Sequence, residues 1–240
     1  MDFDSTKRYP VIAYVYPGPW TEYIPLDFEF SSPSGAPQLA QLGFVVVCFG
    51  NRGGSPYRGR DYHCYGYGNL RDYPLADNKY GLEQLIARYS FIDGTKVGIF
   101  GHSGGGSMTV AAICTYPDFY KAAVASSGNY DNTIFDYGWS EIHHGIKEVT
   151  KEGKVSFEFS IPVHLELAKN LKGHLMLVTG DADDTVNPAN TSRMVHSLIL
   201  AGKDFELVVL PGQRHGYMGL AKEYYFRKMW RHFERYLLDE

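Results

Sequence analysis

The stretch Val97-Gly-Ile-Phe-Gly-His-Ser-Gly-Gly-Gly106 places a serine between two glycines, each one residue removed from it, at the end of an apolar run. Glycines at those two positions let a strand turn sharply into a helix while the hydroxyl between them projects clear of the backbone. The flanks fit that geometry. Lys96 to Phe100 alternates small and β-branched residues as a buried parallel strand does, and Met108 to Cys114 is apolar enough to pack as a helix on a sheet. The motif reads as a nucleophile elbow, with strand 96–101 running into helix 103–116 and Ser103 as the first candidate nucleophile.

An elbow serine needs a base and an orienting acid, which in α/β folds of this kind follow it in the order Ser, Asp or Glu, His. Leu175-Met-Leu-Val-Thr179 is a buried-strand run that ends in the polar loop Gly180-Asp-Ala-Asp-Asp-Thr-Val186. Phe205-Glu-Leu-Val-Val-Leu210 is a further strand, closed by Pro211-Gly-Gln-Arg-His-Gly-Tyr217, so His215 also lies at a carboxyl strand end. Loops at carboxyl strand ends carry the chemistry in open α/β sheets. Asp181, Asp183 and Asp184 are all candidates for the acid. Turn and helix-capping chemistry accounts for two of the three and does not say which two.

The other eight histidines have structural readings. His63, His164, His174, His196 and His232 fall in loops or predicted helices without a matching partner motif, where surface or satisfied imidazoles are ordinary. His102 is the variable position of the elbow and reads as a lining residue of the site. His143 and His144 point to different sides of a helix, and no third ligand stands at useful spacing, so no metal is expected.

These motifs, together with Tyr9-Pro-Val-Ile-Ala-Tyr-Val-Tyr-Pro-Gly-Pro19, Gly43-Phe-Val-Val-Val-Cys-Phe-Gly-Asn-Arg-Gly-Gly54, Tyr57-Arg-Gly59 and Phe91-Ile-Asp93, resemble in order and spacing the catalytic domain of the prolyl oligopeptidase family of serine hydrolases, especially its dipeptidyl peptidase branch. The resemblance implies an α/β-hydrolase fold and assigns roles. It places the acid on Asp183, with Asp184 as the alternative, and the oxyanion donors on the Tyr16 hydroxyl and the Gly104 N–H. For Tyr16 the bland reading is a strand-end aromatic packed on the sheet. The elbow departs from the branch in reading His-Ser-Gly where Trp-Ser-Tyr is common, which removes a bulky wall and bears on substrate preference. Family members usually carry a β-propeller and further strands before this domain. Without them the chain reads as a catalytic domain cut from a longer peptidase or as a compact hydrolase, with a sheet edge that another copy of the chain could cover.

A chain of 240 residues, 44% hydrophobic, is long enough for one α/β domain over 1–240. A net charge of −4 argues against a nucleic-acid or acidic-membrane partner. Cys48, Cys64 and Cys114 are odd in number and read as unpaired, two of them as small core residues. No leader pattern and no apolar run near the ~20 residues of a membrane helix is visible, so the expectation is a soluble chain of unassigned compartment. The remaining elements are strands 10–16, 43–49, 120–126, 173–179 and 204–210 and helices 74–90, 188–201 and 217–237, an alternation that implies a parallel sheet covered on both faces. Residues 129–171 form an insertion whose aromatics Tyr130, Phe135, Tyr137 and Trp139 either cap the site or pack the segment down. Phe135, Trp139 and His102 are the candidate pocket residues. Three functions fit: a serine peptidase acting after proline or small residues through an acyl-enzyme, a stand-alone carboxylesterase with the same machinery, or a non-catalytic module that kept the fold. The first two need a small peptide or ester substrate and no cofactor.

Overall fold

The computed structural model describes residues 3–20, 22, 24, 35–161 and 163–238. In chain order the elements are β1 (Tyr9–Tyr14), α1 (Ala36–Leu42), β2 (Val45–Cys48), α2 (Arg60–His63), α3 (Asp72–Arg88), β3 (Ile92–His102), α4 (Gly104–Thr115), β4 (Tyr120–Ser126), α5 (Tyr137–His143), β5 (Ile146–Lys151), β6 (Lys154–Phe159), β7 (His174–Gly180), α6 (Ala189–Leu200), β8 (Glu206–Leu210) and α7 (Gly219–Phe233). Six strands form one sheet in the order β2-β1-β3-β4-β7-β8, and every neighbouring pair is parallel. This is the α/β arrangement expected, with helices on both faces.

Strand alternation shows how the two faces are filled. Val11, Ala13 and Ile99 point into one core with Leu82 of α3, Val110 of α4 and Met194 and Leu198 of α6. Ile12, Phe100, Val124, Met176 and Val178 point into the other, with Leu39 of α1 and Met229 and Phe233 of α7. Because side chains alternate with period two, strands buried on both sides read as continuous apolar runs, which is how β3 and β7 were legible.

Differences from the sequence reading are local. The helix α1 was not foreseen: it is seven residues long, bounded by Gly35 and Gly43 in left-handed conformation, and too short to show periodicity. The insertion holds an unforeseen hairpin, β5–β6, whose two-residue turn Glu152-Gly153 has positive φ at both positions. Such turns favour Asn-Gly or Asp-Gly, and Glu-Gly gave no signal. The helix expected over 217–237 begins at Gly219, and the expected strand at 43–49 narrows to β2. The loop after β2 is tied to α3 by Arg52, whose guanidinium donates to both oxygens of Asp77 at 2.6–3.0 Å. Among the described residues no helix is long and apolar enough to cross a membrane.

Candidate active site

Ser103, Asp183 and His215 stand at the carboxyl ends of β3, β7 and β8 respectively. Ser103 has φ 59° and ψ −125°, a conformation that L-residues seldom adopt and that aims the side chain out of the turn. The glycines beside it are required by close approach. A Cβ on Gly101 would lie 2.6 Å from the Val15 carbonyl oxygen, and one on Gly105 would lie 2.2 Å from the same atom. Gly104 is different: its Cβ would sit in ordinary contact, 3.4 Å from Pro17.

The three side chains form one hydrogen-bonded line. His215 Nε2 is 2.9 Å from Ser103 Oγ, and Nδ1 is 2.9 and 3.1 Å from the two Asp183 oxygens. Asp183 Oδ1 also accepts from the backbone N–H groups of Thr185 (3.0 Å) and Val186 (2.9 Å). Burial alone would raise the Asp183 pKa, yet hydrogen bonds from His215, Val186 and Ser127, and the charge of His215 whenever it is protonated, hold it below the ordinary carboxylate value. An ionised Asp183 fixes the proton of a neutral His215 on Nδ1, which leaves Nε2 able to accept the Ser103 proton.

The neighbouring aspartates have other duties. Asp184 is exposed and pairs with Arg214 at 2.9 Å, and Asp181 accepts from the Gly212 N–H at 2.6 Å across the turn after β8. Gly104 opens α4, so its N–H is among those with no acceptor inside the helix. The Tyr16 ring lies beside it, with a ring carbon 3.8 Å from where a Gly104 Cβ would be.

A family model described as the Prolyl oligopeptidase family matches residues 30–240. The chain belongs to that family. Human dipeptidyl peptidase 8 is 30% identical over 89% of this chain, and bovine prolyl endopeptidase FAP is 26% identical over 95%. The chain spans 24% and 29% of those two proteins. Among solved structures, dipeptidyl peptidase 4 from Porphyromonas gingivalis superposes with a TM-score of 0.83 at 25% identity, covering 98% of this chain and 32% of that one. A structure from Bacteroides ovatus gives 0.87 at 27% identity, with the same coverage.

Two cavities flank Ser103 in this prolyl oligopeptidase family member. The smaller, about 30 Å³, lies behind the elbow and is lined by Gly104, Ser107, Asn129, Trp139, His144 and His164 together with Pro17, Leu70, Arg71 and Met108. The larger, about 430 Å³, is lined by Ser103 and His215 and by Gly101, His102, Gly216, Tyr217, Lys222 and five further aromatic residues described below. Of the candidate pocket residues, His102 lines the larger cavity and Trp139 the smaller. Phe135 ends a short 3-10 turn and lines neither cavity, because the chain turns there before α5 carries Trp139 to the site.

Several contributors carried no sequence signal of their own. Tyr217, two residues past His215, bonds Ser126 Oγ at 2.8 Å and Ser127 Oγ at 3.0 Å, and Ser126 Oγ in turn meets His102 Nδ1 at 2.9 Å. Burial first, then the nearby His215, pushes His102 down to about 4, so it stays neutral. The histidines of the insertion are core residues. His164, read as a loop or helix histidine of the ordinary kind, is fully enclosed and places Nε2 3.0 Å from the Ser107 carbonyl. His143 and His144 are both buried, since α5 ends against the domain. His174 opens β7, inside the strand expected over 173–179, and buried His232 bonds Glu206 at 3.0 Å.

Proposed function

We propose that this chain is the catalytic part of a serine peptidase that cleaves peptide bonds through an acyl-enzyme, with Ser103 as nucleophile, His215 as general base and acid, and Asp183 as the orienting acid. The observation that carries the reading is the continuous line from Ser103 Oγ to His215 to Asp183, with each hydrogen bond near 2.9 Å. Ser103 gives its proton to Nε2 as Oγ bonds the scissile carbonyl carbon. The C–N bond then breaks while Nε2 returns the proton to the departing nitrogen. Water repeats the sequence: it loses a proton to Nε2, adds to the acyl carbon and releases the acid as Oγ is reprotonated.

The Gly104 N–H and the Tyr16 hydroxyl are the proposed donors to the oxyanion, a role supported by the position of Gly104 at the start of α4 and of Tyr16 beside it. The small cavity, lined by Gly104 and not by His215, suits the acyl-side residue. Its volume, about 30 Å³, favours a small acyl-side residue over a bulky one. The peptidase names of the relatives agree with this reading. A carboxylesterase reading draws support from Gly104, whose missing side chain leaves the elbow open to a compact ester.

Comparing hydrolysis of Gly-Pro p-nitroanilide with that of a p-nitrophenyl ester tests the assignment, with Ser103→Ala as the control. Turnover of the anilide that disappears in the variant is the expected result. Turnover of the ester alone favours the esterase, and activity surviving in Ser103→Ala contradicts both readings.

A further inference from the structure

The acyl-transfer reading above leaves the larger cleft, about 430 Å³, without a task. Its position argues for one. When the C–N bond breaks, the departing nitrogen takes its proton from His215 Nε2 and must lie within hydrogen-bond reach of it. Of the two cavities, the larger is the one lined by both Ser103 and His215, so the leaving half of the substrate enters there.

The lining specifies what that half looks like. Six aromatic side chains, Tyr14, Tyr16, Phe100, Tyr217, Tyr225 and Phe226, make its walls. Such walls suit a planar apolar group, which gains from edge and stacked contacts beyond the area it buries. The space continues past the base: a Cβ on Gly216 would meet nothing within 4 Å. Among the described lining residues there is no carboxylate, and Lys222 supplies an ammonium 5.9 Å from the Phe226 ring centre. A cation beside an aromatic wall, with no acidic side chain among the described lining residues to oppose it, attracts an anion carried by the bound aromatic group.

We infer that this cleft binds a leaving group that is an aromatic residue with a free carboxylate, its ring held by Tyr225 and Phe226 and its carboxylate drawn by Lys222. The inference rests on the acyl-transfer reading, and its test separates the two.

Binding is measured by calorimetry on Ser103→Ala with 3-phenylpropanoate, propanoate and 3-phenylpropanamide. Loss of the ring is expected to weaken binding by about tenfold or more. Replacing the carboxylate by the amide is expected to weaken it about threefold, an effect that vanishes in the Lys222→Ala form of the same protein. With the active enzyme, a p-nitrophenyl ester forms the acyl-enzyme and the acyl group partitions between water and an added amine. Phenylalanine should capture it in preference to alanine, and Lys222→Ala and Phe226→Leu should each reduce that preference. Equal capture of the two amines, or binding indifferent to ring and charge, overturns the inference while a fluorophosphonate adduct at Ser103 still supports the acyl-transfer reading. Absence of that adduct overturns the acyl-transfer reading and the leaving-group assignment with it.

Discussion

Asp183 and Asp184 are adjacent in the chain and opposite in environment. The Asp183 side chain is fully enclosed against His215, whereas that of Asp184 is 58% exposed beside a still more exposed Arg214. Asp183→Asn should lower kcat about 10⁴-fold by favouring the wrong imidazole tautomer. Asp184→Asn removes a screened surface pair and should leave kcat within about twofold. Steady-state kinetics on the two variants decides this, and the reverse pattern would move the acid to Asp184. Tyr16→Phe keeps the ring against the elbow and deletes only the hydroxyl. The expected loss is about 10²–10³ in kcat, the effect of removing one donor to the developing oxyanion. An unchanged kcat would make Tyr16 a packing residue.

The elements differ in how much of each was legible. Ser103, Asp183 and His215 follow apolar runs, and a run buried on both faces announces itself and its carboxyl end. The choice of Asp183 over its neighbours came from the resemblance to a family; composition and spacing left it open. The helix α1 and the β5–β6 hairpin were invisible because one is short and the other turns on Glu-Gly. Lys222, Tyr225 and Phe226 meet the site only through the packing of α7 on the sheet, and Tyr217 through the loop before it, which no local pattern encodes. The elbow itself makes a stability prediction. A methyl on Gly105 would press on the Val15 carbonyl at 2.2 Å, so Gly105→Ala should cost about 1–3 kcal/mol or more and lower the melting temperature by several degrees. Gly104→Ala meets its nearest neighbour at 3.4 Å and should melt within about two degrees of the wild type. Equal melting of the two variants in a thermal scan would contradict the packing at the elbow.

At the scale of the whole molecule, burial holds four imidazoles neutral. It pushes His102 and His143 down to about 4, and His144 and His164 to about 3, from the ordinary value of 6.5. In each case the charge of a neighbouring cationic group or imidazole adds to the effect. The unfolded chain binds protons at these sites below pH 6.5 and the folded chain does not, so stability is full above 6.5 and falls as the pH drops toward 4. Carboxylates held low, such as Asp183 and Asp131, add their loss at still lower pH. Urea midpoints should therefore fall steadily between pH 6.5 and 4.5, and a flat profile over that range would contradict the burial of these histidines. The catalytic reading depends on the assembled fold bringing three strand ends together at Ser103. Its most direct test is fluorophosphonate labelling of the folded chain, followed by mass-spectrometric mapping of the adduct. One adduct per chain, on Ser103 and strongly slowed in His215→Ala, is the predicted result; a folded chain that takes no label, or takes it on another residue, would contradict it.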